Sequence, residues 1–245
     1  MQLVKRSMAA LAGALCLSSA VMADGPVISL LMGANGESTP ITLTGTATNM
    51  ANVYNYSGSQ SAGTGAFSFA WNFNASDSGA GNGMVDRAFT AGNFVVTNNS
   101  SDAIAFDILL SMPIALASPA LYGGSVSAGL TTFGAGFLSD NDGAPLWAAY
   151  TGDTMVASLL NAPVSVARET TGSSAIGSDA FGQPIPSFPG PDFGSTLAIR
   201  LRFVISGGAS ASFTSVLVGQ TVPAPGALAL VGLGGLVAGS RRRRA

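Results

Sequence analysis

The sequence predicts an all-β protein, a single β-sandwich of jelly-roll type, and three observations carry that prediction. Apolar and polar residues alternate at period two, most clearly at Phe67, Phe69, Trp71 and Phe73 and again at Leu197, Ile199, Leu201, Phe203 and Ile205. Such runs are separated by connections rich in glycine, asparagine and proline, the chain holding 32 Gly and 12 Pro. Little of residues 24–221 shows a helical period, and roughly ten short strands are expected there.

In chain order, Lys5 and Arg6 precede an apolar stretch over 8–21, and Val21-Met22-Ala23 offers the small residues a signal peptidase prefers. Residues 1–23 are read as a signal peptide cut after Ala23. Cys16 follows Leu15, not the small residue that lipid attachment requires, so it leaves with the leader and the mature chain has no cysteine. Strands are expected at 27–32, 41–47 and 50–56, then at 67–73. The glycine-rich 74–83 reads as an exposed loop. Residues 94–97 and 104–110 flank the polar stretch 98–102 and predict an antiparallel hairpin, because Asn and Asp suit a tight reversal.

Further on, 125–138 offers one or two strands anchored by Phe133 and Phe137. Residues 153–161 are ambiguous, because Asp153 could cap a short helix placing Met155, Val156 and Leu159 inward, and Val164 and Val166 return to strand spacing. Prolines 184, 186, 189 and 191 exclude an internal strand from 177–194 and predict an extended surface loop. Strand 197–205 then turns at Gly207-Gly208 into a last strand through Phe213, Ser215 and Leu217, predicting a second hairpin.

Behind this domain, 24–221, come Val222-Pro223-Ala224-Pro225-Gly226, an uncharged apolar run over 227–239, and Arg241, Arg242, Arg243 and Arg244. A helix of that run spans roughly 20 Å at ~1.5 Å per residue, short for a ~30 Å hydrocarbon core. Arginine stems can snorkel to headgroups and mark the cytoplasmic side. The order is extended linker, short transmembrane helix, basic stop. This tail, 222–245, resembles the PEP-CTERM sorting signal of exported proteins of exopolysaccharide-making Gram-negative bacteria. Pro223 and Pro225 match its two prolines, 228–237 its helix and 241–244 its basic end, with Ala224 in place of the usual Glu. The resemblance implies an exosortase-type membrane protease as partner, transient anchoring in the inner membrane, and a final place at the cell surface, in the outer envelope or in the matrix.

Composition narrows the chemistry. Four arginines (Arg87, Arg168, Arg200, Arg202) face twelve acids between the two signals, a net charge of −8, and the single lysine, Lys5, lies in the leader. Nucleic acid and anionic lipid are poor partners for such a surface. The chain has no histidine, so without cysteine or lysine the Ser-His-Asp, Cys-His and Ser-Lys arrangements and histidine-ligated zinc are all excluded. A two-carboxylate glycosidase drawn from Asp140, Asp142, Asp153 and Glu169 is the least favoured reading.

Asp140-Asn141-Asp142-Gly143 resembles the middle of a calcium loop, which makes Asp140 and Asp142 calcium candidates, but the pattern wants ligands where Leu138 and Ala149 stand. An ordinary Asp-Gly turn is the preferred reading. Arg200 and Arg202 share one strand face and are read as solubility devices on an edge strand. Tyr54, Tyr56, Tyr122, Trp147 and Tyr150 are aromatics that core packing or a sugar platform would explain. The expected function is a non-enzymatic extracellular or cell-surface protein, without cofactor, associated with exopolysaccharide. The alternative is a carbohydrate-binding or adhesive module, calcium-dependent if the loop at 140–143 binds.

Overall fold

Alternation at period two puts every second side chain on one face of a strand, so a chain with several such runs must stack sheets to bury them. The computed structural model describes residues 25–78, 86–116 and 120–222. The leader, 1–23, and Pro223, Pro225, Gly226, Arg241, Arg242, Arg243 and Arg244 of the sorting signal lie outside the described residues, with Val222 the last one inside. Among the described residues every regular element is a strand: β1 (Ile28–Ala34), β2 (Glu37–Leu43), β3 (Thr46–Ala47), β4 (Tyr54–Ser61), β5 (Phe67–Ser78), β6 (Arg87–Asn98), β7 (Ile104–Pro113), β8 (Ala120–Thr132), β9 (Gly136–Ser139), β10 (Trp147–Thr151), β11 (Thr154–Leu159), β12 (Ser165–Arg168), β13 (Gly172–Phe181), β14 (Phe188–Pro189), β15 (Thr196–Ile205) and β16 (Ala209–Thr221).

They form two antiparallel sheets. The first runs β11-β10-β15-β7-β1-β2, with β9 on the far end of β15 and β12 beside β9; the second runs β13-β8-β16-β6-β5-β4-β3, with β14 beside β8. Their inner faces make the core of a β-sandwich. Phe106, Ile108 and Leu110 of β7 and Leu197 to Ile205 at odd positions of β15 face Phe69, Trp71 and Phe73 of β5, Phe94 and Val96 of β6, and Phe213 and Leu217 of β16, all buried. The Phe203 ring spans the two sheets, 5.5 Å from Phe106 and 4.9 Å from Phe213 between centroids. Burying a side chain of this size stabilises by about 1.5–3 kcal/mol. Trp147 Nε1 donates to Ser215 Oγ at 2.7 Å across the same gap, so the buried indole keeps a partner.

Neither expected hairpin exists. β6 is filled on both edges by β5 and β16, and β7 by β1 and β15, so the chain crosses from one sheet to the other at 99–103; β15 and β16 likewise lie in different sheets. The polar turn signals were real, but they serve arches between layers. Asn98, fully buried, stitches the two arches together. Its Nδ2 donates to Asp102 O (2.7 Å) and Ile205 O (3.1 Å), and its Oδ1 accepts from Ser100 N (3.0 Å) and Ser100 Oγ (2.7 Å). Gly207 lets the arches touch: a Cβ there would sit 2.5 Å from the backbone of Ser100 and Ser101. β1 begins and β16 finishes at the opposite end of the sandwich from these arches.

Other expectations need correction. Residues 74–78 continue β5, with Ala75 and Ser76 buried, because pairing with β6 extends the strand past its aromatic run. Residues 153–161 form no helix: Gly152-Asp153 is the turn between β10 and β11, and Val156 and Leu159 reach the core while Met155 stays 53% exposed. Phe133 is no anchor; it is 79% exposed at the tip after β8, and Leu138 takes the buried position beside Phe137. Residues 50–53 form a turn closed by Thr48 N donating to Val53 O. The span 177–194 is loop only from Gly182, since 177–181 belong to the outermost strand β13 and Phe188–Pro189 pair with β8. Four strands run to 12 or 13 residues, longer than expected.

Candidate functional site

The outer face of the first sheet carries the alternate residues of its strands. On β15 these include Ala198, Arg200 and Arg202, on β7 Asp107, Leu109 and Ser111, on β1 Leu31 and Gly33, and on β10 Tyr150. Register sets Arg200 opposite Leu109 and Asp107 opposite both Arg202 and Gly33. Arg200 reaches diagonally to Asp107 as a two-pronged pair, Nε to Oδ1 at 2.8 Å and Nη2 to Oδ2 at 2.5 Å. This fork geometry fixes both groups in one plane. Gly33 makes the room, because a Cβ there would lie 2.8 Å from Asp107 O.

Two hollows meet at this pair and share Leu109 and Arg200. One, about 320 Å³, extends past Leu31 and Gly33 to Glu37 and Asn141; the other, about 250 Å³, extends past Ser111 and Tyr150 to Asp153. Together they make a groove along the strands. Its extent from Ala105 to Ser111 on β7 is roughly 20 Å at ~3.4 Å per residue. Its floor is apolar at Leu31, Leu109 and Ala198, and its charges are Arg200 against Asp107, Glu37 and Asp153, a net negative lining.

Hydrogen bonding to Asp107 pushes the Arg200 guanidinium above its ordinary value; burial opposes this, and the Asp107 charge and Tyr150 add to it. Arg200 therefore stays charged. The pair is 36% and 39% exposed, which leaves both groups reachable from solvent.

The sequence singled out Arg200 and Arg202 but placed them on an edge. β15 is an interior strand between β10 and β7, and at least Arg200 has a structural partner. Asp107 was missed; a carboxylate at an outward strand position in a chain with only 9% charged residues was the available signal. Tyr54, Tyr56, Tyr122 and Trp147 are buried and present no aromatic platform, whereas Tyr150 is half-buried in the groove wall. Asp140 accepts Gly143 N on Oδ2 at 2.9 Å and Val164 N on Oδ1 at 2.8 Å, so both oxygens hold the turn in which Asp142 takes φ +53°. Asp153 lines the groove and Glu169 stands exposed between β12 and β13.

No family model and no curated protein matches the chain. No family is thereby shown. Among solved structures it is similar to TmCBM61 in complex with beta-1,4-galactotriose, at 13% identity over 62% of this chain and 86% of that one, with a TM-score of 0.24.

Proposed function

We propose that the chain is an exported, non-enzymatic β-sandwich protein that holds a neutral polysaccharide of the extracellular matrix in the groove of its first sheet. The observation that supports binding is the fixed donor–acceptor pair on an apolar floor. Neighbouring sugar hydroxyls are donor and acceptor at once, so one can accept a hydrogen bond from an Arg200 N–H that the fork to Asp107 leaves unused while the next donates to an Asp107 oxygen. Leu31 and Leu109 beneath would meet the C–H face of a ring, with Tyr150 beside it. The net negative lining favours a neutral glycan over a uronate polymer. Export rests on the leader at 1–23, and sorting on the tail at 222–245 with an exosortase-type protease as its processing partner.

The test is titration of soluble neutral polysaccharides into the protein. Arg200→Ala and Asp107→Ala should each weaken binding about 10- to 100-fold, or roughly 1.4 to 2.7 kcal/mol. Their thermal stability should change by less than about 1 kcal/mol, as expected of a solvent-accessible pair. Phe133→Ser, at the far tip, should bind as the parent does. Retained binding in both groove variants would sink the reading.

A further inference from the structure

A sandwich of two open sheets has edges, and a bare edge strand is a template for another strand unless something blocks it. Two of the edge strands, β2 and β13, are blocked. β2 carries Pro40, which has no donor, and Glu37. β13 is closed by its neighbours from the other sheet: Arg168 of β12 donates from Nη1 to Ser173 O at 3.0 Å, and Leu160 N, just past β11, donates to Asp179 Oδ2 at 3.4 Å. β3 covers only Tyr54 and Asn55 of β4.

The rest of β4 is different. Residues 57–61, Ser-Gly-Ser-Gln-Ser, are all exposed, and they pair along one side with 68–72 of β5. Among the described residues no other backbone hydrogen bond reaches Ser57, Gly58, Ser59 or Gln60, and the Gln60 side chain turns only to Ser61 O, at 3.2 Å. This segment has no proline, no charge and no bulge.

We infer that this edge is an interface between two copies of the chain, joined antiparallel about a two-fold axis at Ser59 so that their second sheets become one. The edge suits itself. The two-fold sets Ser57 opposite Ser61 and Gly58 opposite Gln60, so small uncharged groups face one another with no clash and no like-charge repulsion. A different protein would need a free strand of its own, whereas a second copy brings one already held straight by β5. The inference is independent of the glycan reading and survives its failure.

Sedimentation of the full chain over a wide concentration range, with amide hydrogen exchange at 57–61, tests it. The expected result is a concentration-dependent dimer in which those amides exchange more slowly as dimer accumulates. Ser59→Pro and Ser59→Lys should each weaken the dimer by roughly tenfold or more, with unchanged melting. The lysine variant keeps the backbone donor that proline removes, so a folding defect in one leaves the other informative. A monomer up to hundreds of micromolar, a dimer that survives both substitutions, or a dimer without slowed exchange at 57–61 overturns the inference.

Discussion

Asn98 shows how much one side chain holds in this fold. Both of its donors and its carbonyl are used, and they tie the arch at 99–103 to the end of β15. Asn98→Ala removes four hydrogen bonds and leaves the buried Ile205 O without this donor, and we expect a loss of about 3 kcal/mol, read as a lower denaturant midpoint. Tyr56 makes a pH-dependent statement. Burial above all, then the charges of Asp77 and Tyr54, pushes its phenol up to about 12. The unfolded chain releases that proton near pH 10 and the folded one only near 12, so folding stability falls as pH rises through this window. Tyr56→Phe should lose about 1 kcal/mol at neutral pH, because the 2.6 Å bond to Pro26 O is gone. Its decline between pH 10 and 12 should also be shallower than the parent's, the buried Tyr122 phenol, likewise raised by burial, still contributing; parallel pH curves for the two proteins would refute the assignment.

At the scale of elements, the sequence told which face of a strand is buried and failed to tell which strand lies next to it. Phe69, Phe73, Leu201 and Phe203 were legible as core because the period of two depends only on the strand itself. The partners of β6 and β7 depend on edges far away in sequence, so a polar connection looked like a hairpin when it was an arch. The 153–161 segment was ambiguous for another reason: Met155, Val156 and Leu159 fit a helix face as well as a bulged strand, and pairing with β10 decided it. Asp140 does sit in a turn, with both carboxylate oxygens accepting from backbone N–H groups. Asp140→Ala should cost about 1 to 2 kcal/mol, because two backbone N–H groups, of Gly143 and Val164, lose their carboxylate acceptor, and neither calcium nor a chelator should move the melting temperature of the parent.

For the molecule as a whole, half of the groove was visible in advance. Arg200 and Tyr150 were singled out, but a groove is made by neighbours, and Asp107, Leu109 and Gly33 join it only through the pairing of β15, β7 and β1. The location of the protein was read from its two ends alone, and intact mass of the material recovered from inner membrane, outer membrane and medium checks it. A species starting near Asp24, ending near Pro223 and found outside the inner membrane is expected; one that keeps 241–244 and stays in the inner membrane would make the tail a plain anchor. The placement of the domain's two ends on one side of the sandwich then has a mechanical meaning. The groove runs parallel to the strands, from that side toward the arches. A protein held at the envelope by that side would keep a polymer upright, like a bristle, and many copies would set the spacing of a brush.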